Sequence, residues 1–388
     1  MIVNRIDKIF ITSCKPGQKK WQIFRLPNMI LMAPFSKNPG YFARVLASWH
    51  RERNRRELPW KGEKDPYKIW LSEIILQQTR VEQGLNYYLS FVKTFPDVHK
   101  LASAPDKKVF KLWEGLGYYS RCRNLLASAR YISSELKGEF PNTYDNIKTL
   151  KGVGPYTAAA ISSFAFNLPH AVVDGNVFRV LARIFGINIP TDTTEGKKIF
   201  TELANKLLDK HQPGLHNQAI MDFGATVCKP LPLCDECVFK KNCFAYLNNK
   251  TDQFPVKEKK ITIKKRWFYY LVMQHDDKIA IRQRTGKDIW QQLYEFPMVE
   301  TGKEQTAESI LSAAEKDALL KRKRYKFISI SPVYKQQLSH QLIMAQFIQV
   351  RFSGQTDLNG RGHWVTKIQM NKYPFPKLIN QFKGESMP

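Results

Sequence analysis

The amino-acid sequence predicts a multidomain chain, an all-α region followed by a smaller α+β domain, and three observations carry that expectation. Apolar residues recur at helical spacing from Tyr41 up to a four-cysteine cluster that begins at Cys228. A polar and basic stretch at 250–266 (KTDQFPVKEKKITIKKR) then interrupts the pattern. Beyond it the apolar residues alternate as strands do. A length of 388 residues fits about two domains. The expected spans are an extension at 1–36, a helical domain at 37–249, a linker at 250–266 and a second domain at 267–388.

Residues 1–36 show no sustained periodicity and mix basic residues with Pro16, Gly17 and Pro34. They read as a poorly ordered extension, or as sequence upstream of a start at Met29 or Met32. The clearest helix follows Asp65, an N-cap residue type, with Pro66 at the first helical position and Tyr67, Trp70, Leu71, Ile74 and Gln78 at helical spacing. Further helices are expected at 81–95, 105–114, 121–137, 156–166, 175–185, 195–209 and 217–226. In the second domain, strands at 267–274 and 278–284 flank the turn His275-Asp276-Asp277. A helix at about 303–320 and strands near 325–336 and 341–352 complete it.

Sixty-one Lys and Arg against 34 Asp and Glu leave a formal charge of +27, which calls for a polyanionic partner. No run of eighteen apolar residues is present, which argues against a membrane span. The N-terminal residues lack the three-part layout of a secretory leader, so the expectation is a cytoplasmic, DNA-associated protein with reduced thiols.

Three features carry chemistry. The first is Leu150-Lys151-Gly152-Val153-Gly154-Pro155-Tyr156-Thr157-Ala158. Two glycines around one apolar residue permit a tight turn, and Pro155 opens the next helix. This is the pattern of a helix–hairpin–helix, in which Gly152, Val153 and Gly154 present backbone N–H groups to a DNA phosphate. The second is Cys228-x5-Cys234-x2-Cys237-x5-Cys243, whose four thiols suit a 4Fe-4S cluster or a structural zinc; spacing alone does not choose. The third is a pair of carboxylates. Glu73 lies mid-helix beside Ile69 and Leu76, where apolar neighbours raise a carboxyl pKa. Asp174 precedes a helix, where backbone N–H groups favour its ionised form. Taken singly, a solvated Glu and a capping Asp are the simpler readings of these two residues.

The stretches Leu58-Pro59-Trp60, Pro66–Glu73, Leu76-Gln77-Gln78-Thr79, Trp113–Arg121, the hairpin, Val173–Val177 and the four cysteines together resemble the MutY-type adenine DNA glycosylases of the helix–hairpin–helix superfamily. In the second domain Leu338-Ser339-His340 resembles that family's 8-oxoguanine recognition motif. The resemblance implies a monomeric, monofunctional enzyme that flips adenine, mispaired with 8-oxoguanine or guanine, out of double-stranded DNA and hydrolyses its glycosidic bond. Glu73 would protonate the base and later activate water. Asp174 would stabilise the oxocarbenium-like sugar or bond to it transiently. Tyr156 and Asn176 match positions that support Asp174 and the sugar. Gln78 and Tyr118 match residues that wedge into the base stack. Lys61 and Gln218 fall beside the adenine pocket, and Cys228, Cys234, Cys237 and Cys243 would hold a 4Fe-4S cluster.

Endonuclease III-like relatives carry a Schiff-base lysine where this chain has Tyr156, which predicts no strong strand cleavage. Two departures from the family pattern stand out. Five residues rather than six separate Cys228 from Cys234, with Lys229 as the basic residue of that loop, and Lys61 replaces a common arginine. The second domain resembles the Nudix fold, but Gln292 stands where the hydrolase signature begun by Gly286 needs Glu. Lesion recognition is therefore expected of it rather than Mg2+-dependent hydrolysis. Competing readings are a pyrimidine-specific glycosylase of the same superfamily and a non-catalytic DNA-binding protein.

Overall fold

The computed structural model describes residues 39–258, 262–320, 324–354, 358, 360 and 362–387. The expected extension at 1–36, residues 259–261 of the basic stretch and residues 321–323 lie outside them.

The first 220 or so described residues are helical, as the periodicity predicts. Helices α1 (Pro39–Glu52), α2 (Pro66–Leu76), α3 (Val81–Thr94), α4 (Val98–Ala102), α5 (Asp106–Trp113), α6 (Tyr119–Ser134), α7 (Tyr144–Lys148) and α8 (Pro155–Phe166) come first. They are followed by α9 (Gly175–Phe185), α10 (Thr194–Leu207), α11 (Pro213–Thr226) and the short α12 (Phe244–Leu247). Side-chain caps set several starts. Asp65 accepts from the Tyr67 N–H at 2.9 Å, Thr143 from Asn146, and Thr193 from Gly196.

Two cores form, and the cleft lies between them. Trp70, Phe91, Phe110, Trp113, Leu125 and Ile161 centre one that gathers α2 to α8. Phe42, Leu181, Phe200, Phe223 and Phe239 centre the other, which gathers α1, α9, α10, α11 and the cysteine segment. The close approach of α11 to α9 requires Gly224: a Cβ there would meet the Asn176 Cβ at 2.7 Å.

The second half is an eight-stranded sheet: β1 (Lys264–His275), β2 (Lys278–Gln283), β3 (Tyr294–Glu295), β4 (Met298–Thr301), β5 (Tyr325–Ile330), β6 (Tyr334–Gln337), β7 (Gln341–Phe352) and β8 (His363–Thr366). Its main path runs β3-β2-β1-β7-β5. The expected β1–β2 hairpin is present, with His275 opposite Lys278. At the centre β1 and β7 pair in parallel from Lys264/Gln341 to Gln274/Arg351. Helices α13 (Ala307–Lys316), α14 (Lys367–Met370) and α15 (Lys377–Ser386) complete the chain.

Three sequence expectations change here. Strand β1 starts at Lys264, inside the stretch assigned to the linker. It is buried from Trp267 to Met273 without alternation, because α13 covers the Tyr269 face and α15 the Tyr270 face. The expected strand at 325–336 is two strands, since Pro332 cannot donate to the ladder; Ser331 turns the chain there and its Oγ accepts the Phe347 N–H at 2.9 Å.

Phe382 of α15 lies flat on Phe347 of β7, with ring centroids 3.8 Å apart and Tyr334 edge-on to both. Phe382→Ala should destabilise the C-terminal half by about 3–5 kcal/mol in urea titrations. A loss below about 1 kcal/mol would show that this stack is not central to the core.

Candidate active site

Both cores contribute a wall to one cleft of about 940 Å³. Glu73 from α2, Tyr156 from the first turn of α8, Asp174 and Asn176 at the start of α9, and Gln218 from α11 all line it, as do Lys61, Gln78 and Tyr118. Eight residues singled out in the sequence, far apart along the chain, thus share one space.

Glu73 is 7 % exposed. Burial pushes its carboxyl from 4.5 up to about 7; a hydrogen bond from Tyr156 opposes the rise and the Asp174 carboxyl adds to it. The Tyr156 phenol is itself held well above its ordinary value by burial, Glu73 and Asp174, so it remains a donor.

Asp174 caps α9: its Oδ1 accepts the Val177 N–H at 2.7 Å and its Oδ2 accepts from Asn176 Nδ2 at 2.8 Å. These bonds lower its pKa as the sequence predicts, yet burial outweighs them and the net direction is upward. The simple expectation of a carboxylate stabilised below its ordinary value is therefore corrected by the depth of the site. The Asn176 Oδ1 in turn accepts from Arg179, whose guanidinium also donates to the carbonyls of Gly224 and Cys228.

One turn beyond Gln218 on α11, Asp222 is fully buried and gathers the neighbouring side chains. Its Oδ1 accepts from Arg56 at 2.9 Å and Gln218 at 3.0 Å, its Oδ2 from Asn54 at 2.8 Å, and Lys61 Nζ lies 3.7 Å away. Lys61 Nζ also donates to the Arg56 carbonyl. The sequence reading assigned Lys61 and Gln218 to the adenine pocket but missed Asp222, whose inward orientation only the fold shows.

At the cleft mouth Gln78 and Tyr118 both occupy the left-handed backbone region, with φ 54° and 46°. Such conformations cost about 1–3 kcal/mol each for non-glycine residues and persist only where surroundings enforce them. Arg121 enforces both. Its buried guanidinium donates to the carbonyls of Ile74, Ile75 and Gln77, to Thr79 Oγ1 and to the Gly117 carbonyl. The Tyr118 hydroxyl lies 2.6 Å from Ser339 Oγ. Ser339 and His340 sit in the loop between β6 and β7, where the sequence reading put them, and the His340 carbonyl accepts the Lys264 N–H.

Gly152 turns the hairpin at φ 81°, where a Cβ would also meet the Asn124 Cβ at 2.8 Å; Val153 is buried and Gly154 is the N-cap of α8. The first N–H groups of α8 have no acceptor inside the helix and point out of its N-terminus.

Cys228, Cys234, Cys237 and Cys243 line a single small cavity with Arg183 and Lys240, and none is in a disulfide. Among the described residues no three His, Cys, Asp or Glu side chains converge as ligands of one ion would. The four thiols nonetheless fit a polynuclear group by donor type and by sharing that cavity. Arg183, which sequence reading missed, donates to the carbonyls of Lys229, Pro230, Thr251 and Phe254 and so fixes the shortened first loop.

Comparison with known proteins agrees with this layout. Residues 71–208 match the HhH-GPD superfamily base excision DNA repair protein family, and residues 268–383 match the NUDIX domain. An adenine DNA glycosylase from Buchnera aphidicola subsp. Baizongia pistaciae is 38% identical over 305 residues, covering 77% of this chain and 83% of that protein. The human adenine DNA glycosylase is 42% identical over 214 residues, 53% of this chain and 39% of its own. A solved thermostable thymine-DNA glycosylase superposes with a TM-score of 0.51 at 29% identity, over 55% of this chain and 98% of that one. Among the described residues no helix is long and apolar enough to cross a membrane.

The raised Glu73 pKa has a consequence for stability. Between 4.5 and about 7 the folded state holds a proton that the unfolded chain releases, so this group's contribution to stability is lost as pH rises through that window. Glu73→Gln should therefore gain thermal stability relative to wild type between pH 4.5 and 8. A stability difference that stays constant across that range would contradict a buried, proton-holding Glu73.

Proposed function

Because the chain belongs to the MutY-type adenine DNA glycosylases, DNA-repair hydrolases with a C-terminal Nudix-like domain, we propose that its substrate is adenine mispaired with 8-oxoguanine or guanine in duplex DNA. The observation that carries the catalytic reading is the pairing of Glu73 and Asp174 within one cleft, each carboxyl raised by burial, Glu73 bonded by Tyr156 and Asp174 by Asn176.

In this reading the adenine leaves the stack and enters the cleft, at a cost of a few kcal/mol of unstacking. Glu73, protonated near neutral pH, donates to the adenine N7 and turns the base into a better leaving group. Positive charge develops on the sugar as the bond breaks. Asp174 stabilises it, or bonds to C1′ transiently in the manner of a retaining glycosidase. Glu73, now ionised, takes a proton from the incoming water. Gln78 and Tyr118 act as wedges at the mouth, Lys61 and Gln218 face the base, and Gly152, Val153 and Gly154 hold a backbone phosphate. Ser339 and His340 read the base opposite the adenine; both can donate hydrogen bonds. The reaction stops at hydrolysis, since the hairpin position holds Tyr156. Lys61 and Lys64, amines that line the cleft, are each tied to a backbone carbonyl.

A single protomer supplies every group named, which is the support for a monomer acting on DNA. Cys228, Cys234, Cys237 and Cys243 would hold a 4Fe-4S cluster beside the loop fixed by Arg183. When bound, the cluster supplies a rigid structural node rather than chemistry at the base.

Glu73→Gln should lower single-turnover adenine release from an 8-oxoguanine·adenine duplex by about 10²-fold or more while duplex affinity is retained. Asp174→Asn should behave likewise, and near-normal release by either variant would remove the assigned roles. Anaerobically purified protein should contain about four irons per chain, lost in Cys237→Ser. Stoichiometric zinc in place of iron would overturn the cluster assignment.

A further inference from the structure

We propose that Glu114 seats the C-terminal domain on the wedge loop and so helps to set lesion preference without touching either base. The inference rests on the reading that Ser339 and His340 recognise the base opposite adenine.

Glu114 follows the last turn of α5, and its side chain crosses to the other domain. Its Oε1 accepts the Phe375 backbone N–H at 2.7 Å and Asn380 Nδ2 at 2.8 Å. Its Oε2 pairs with Lys111, whose Nζ also donates to the Tyr373 carbonyl at 3.2 Å. The ammonium of Lys107 lies 3.1 Å over the Tyr373 ring. One carboxylate thus receives the first residues of the C-terminal tail and the start of α15 together. Phe375 is fully buried, so its N–H has no water to turn to if the carboxylate is removed.

The placement gives this contact a role beyond cohesion. The Glu114 carbonyl accepts the Tyr87 hydroxyl at 2.7 Å, which fixes the residue from the catalytic side as well. Gly115, Gly117 and Tyr118 then follow with positive φ. At the far end of this short segment the Tyr118 hydroxyl meets Ser339. The wedge loop is therefore held to the C-terminal domain at both ends, by Glu114 at one and Tyr118 at the other. With the Glu114 end released, the C-terminal domain keeps the Tyr118–Ser339 contact, Lys111 on the Tyr373 carbonyl and Arg123 on the Gln291 carbonyl, but loses the bonds that seat the start of α15. The position of the lesion reader beside the wedge then rests on the Tyr118–Ser339 contact without the Glu114 seat behind it. Chemistry at Glu73 and Asp174 does not depend on that position, whereas discrimination of the opposite base does.

The test uses the full chain and single-turnover adenine release from two duplexes, with adenine opposite 8-oxoguanine or opposite guanine. Glu114→Ala should compress the ratio of the two rates or affinities by about tenfold, the scale of a lost charge-assisted hydrogen bond. Release opposite guanine should stay within about twofold. Glu114→Gln keeps an acceptor for Phe375 and Asn380 and should restore most of the ratio. Asn380→Ala, which leaves the Phe375 bond in place, should compress it less, and adding it to Glu114→Ala should have no further effect. The variant Ser339→Ala, His340→Ala serves as the reference for lesion reading. An unchanged ratio in Glu114→Ala beside a compressed one in the reference would overturn the seat alone. An unchanged ratio in the reference would overturn the reading on which the seat rests. Equal losses on both duplexes in Glu114→Ala would show that the contact serves only the fold.

Discussion

A buried carboxyl lining the cleft beside a second carboxyl is the constraint on which the rest of the structure depends. The packing of α2, α8 and α9 buries Glu73, which responds by holding its proton near neutral pH. Asp174 would follow if left alone, but the Val177 N–H and the Asn176 amide oppose its burial. Both acids are pushed upward, but Asp174 also carries bonds from a backbone N–H and an amide that favour its anion. Tyr156 bonds Glu73 as a phenol that donates and does not ionise.

Three buried or half-buried arginines carry that geometry outward. Arg179 links Asn176 to the Cys228 carbonyl. Arg183 ties the cysteine loop to the segment that ends at Phe254. Arg121 closes the end of α2 and holds the loops that carry Gln78 and Tyr118. Each guanidinium satisfies carbonyl groups at helix or loop ends, which would otherwise be buried without partners. The planar fork of arginine suits this task in a way that a lysine ammonium does not. Strain at the wedge residues and order in the cysteine loop are therefore maintained from inside the core.

Much of this was legible in the sequence. The helical half could be read because amphipathic spacing, Asp65 with Pro66, and the glycine hairpin each impose a local geometry. The residues gathered in the cleft were found because the order of several short motifs is specific even where no one motif is. The second half was less legible. A sheet covered on both faces removes the alternation that marks a strand, so β1 carried a run of apolar residues, and the two-residue β3 had almost no pattern to read. Residues that act through tertiary hydrogen bonds gave no sequence signal of their own. Asp222 and Arg183 lie on helices where a charged residue normally faces solvent, and only the fold shows that they face inward. The pKa direction of Asp174 was misread for the same reason, since a cap is visible in sequence and depth is not.

The proposed chemistry of the cleft depends on the protonation state of one side chain, Glu73. Carbon-13 NMR of the DNA-free protein, with the Glu73 carboxyl resonance identified by its absence in Glu73→Gln, would follow that state directly against pH. A titration midpoint near about 7 is the expected result. A midpoint near 4.5, the ordinary value for a solvated glutamate, would contradict the proton-holding cleft and with it the role given to Glu73.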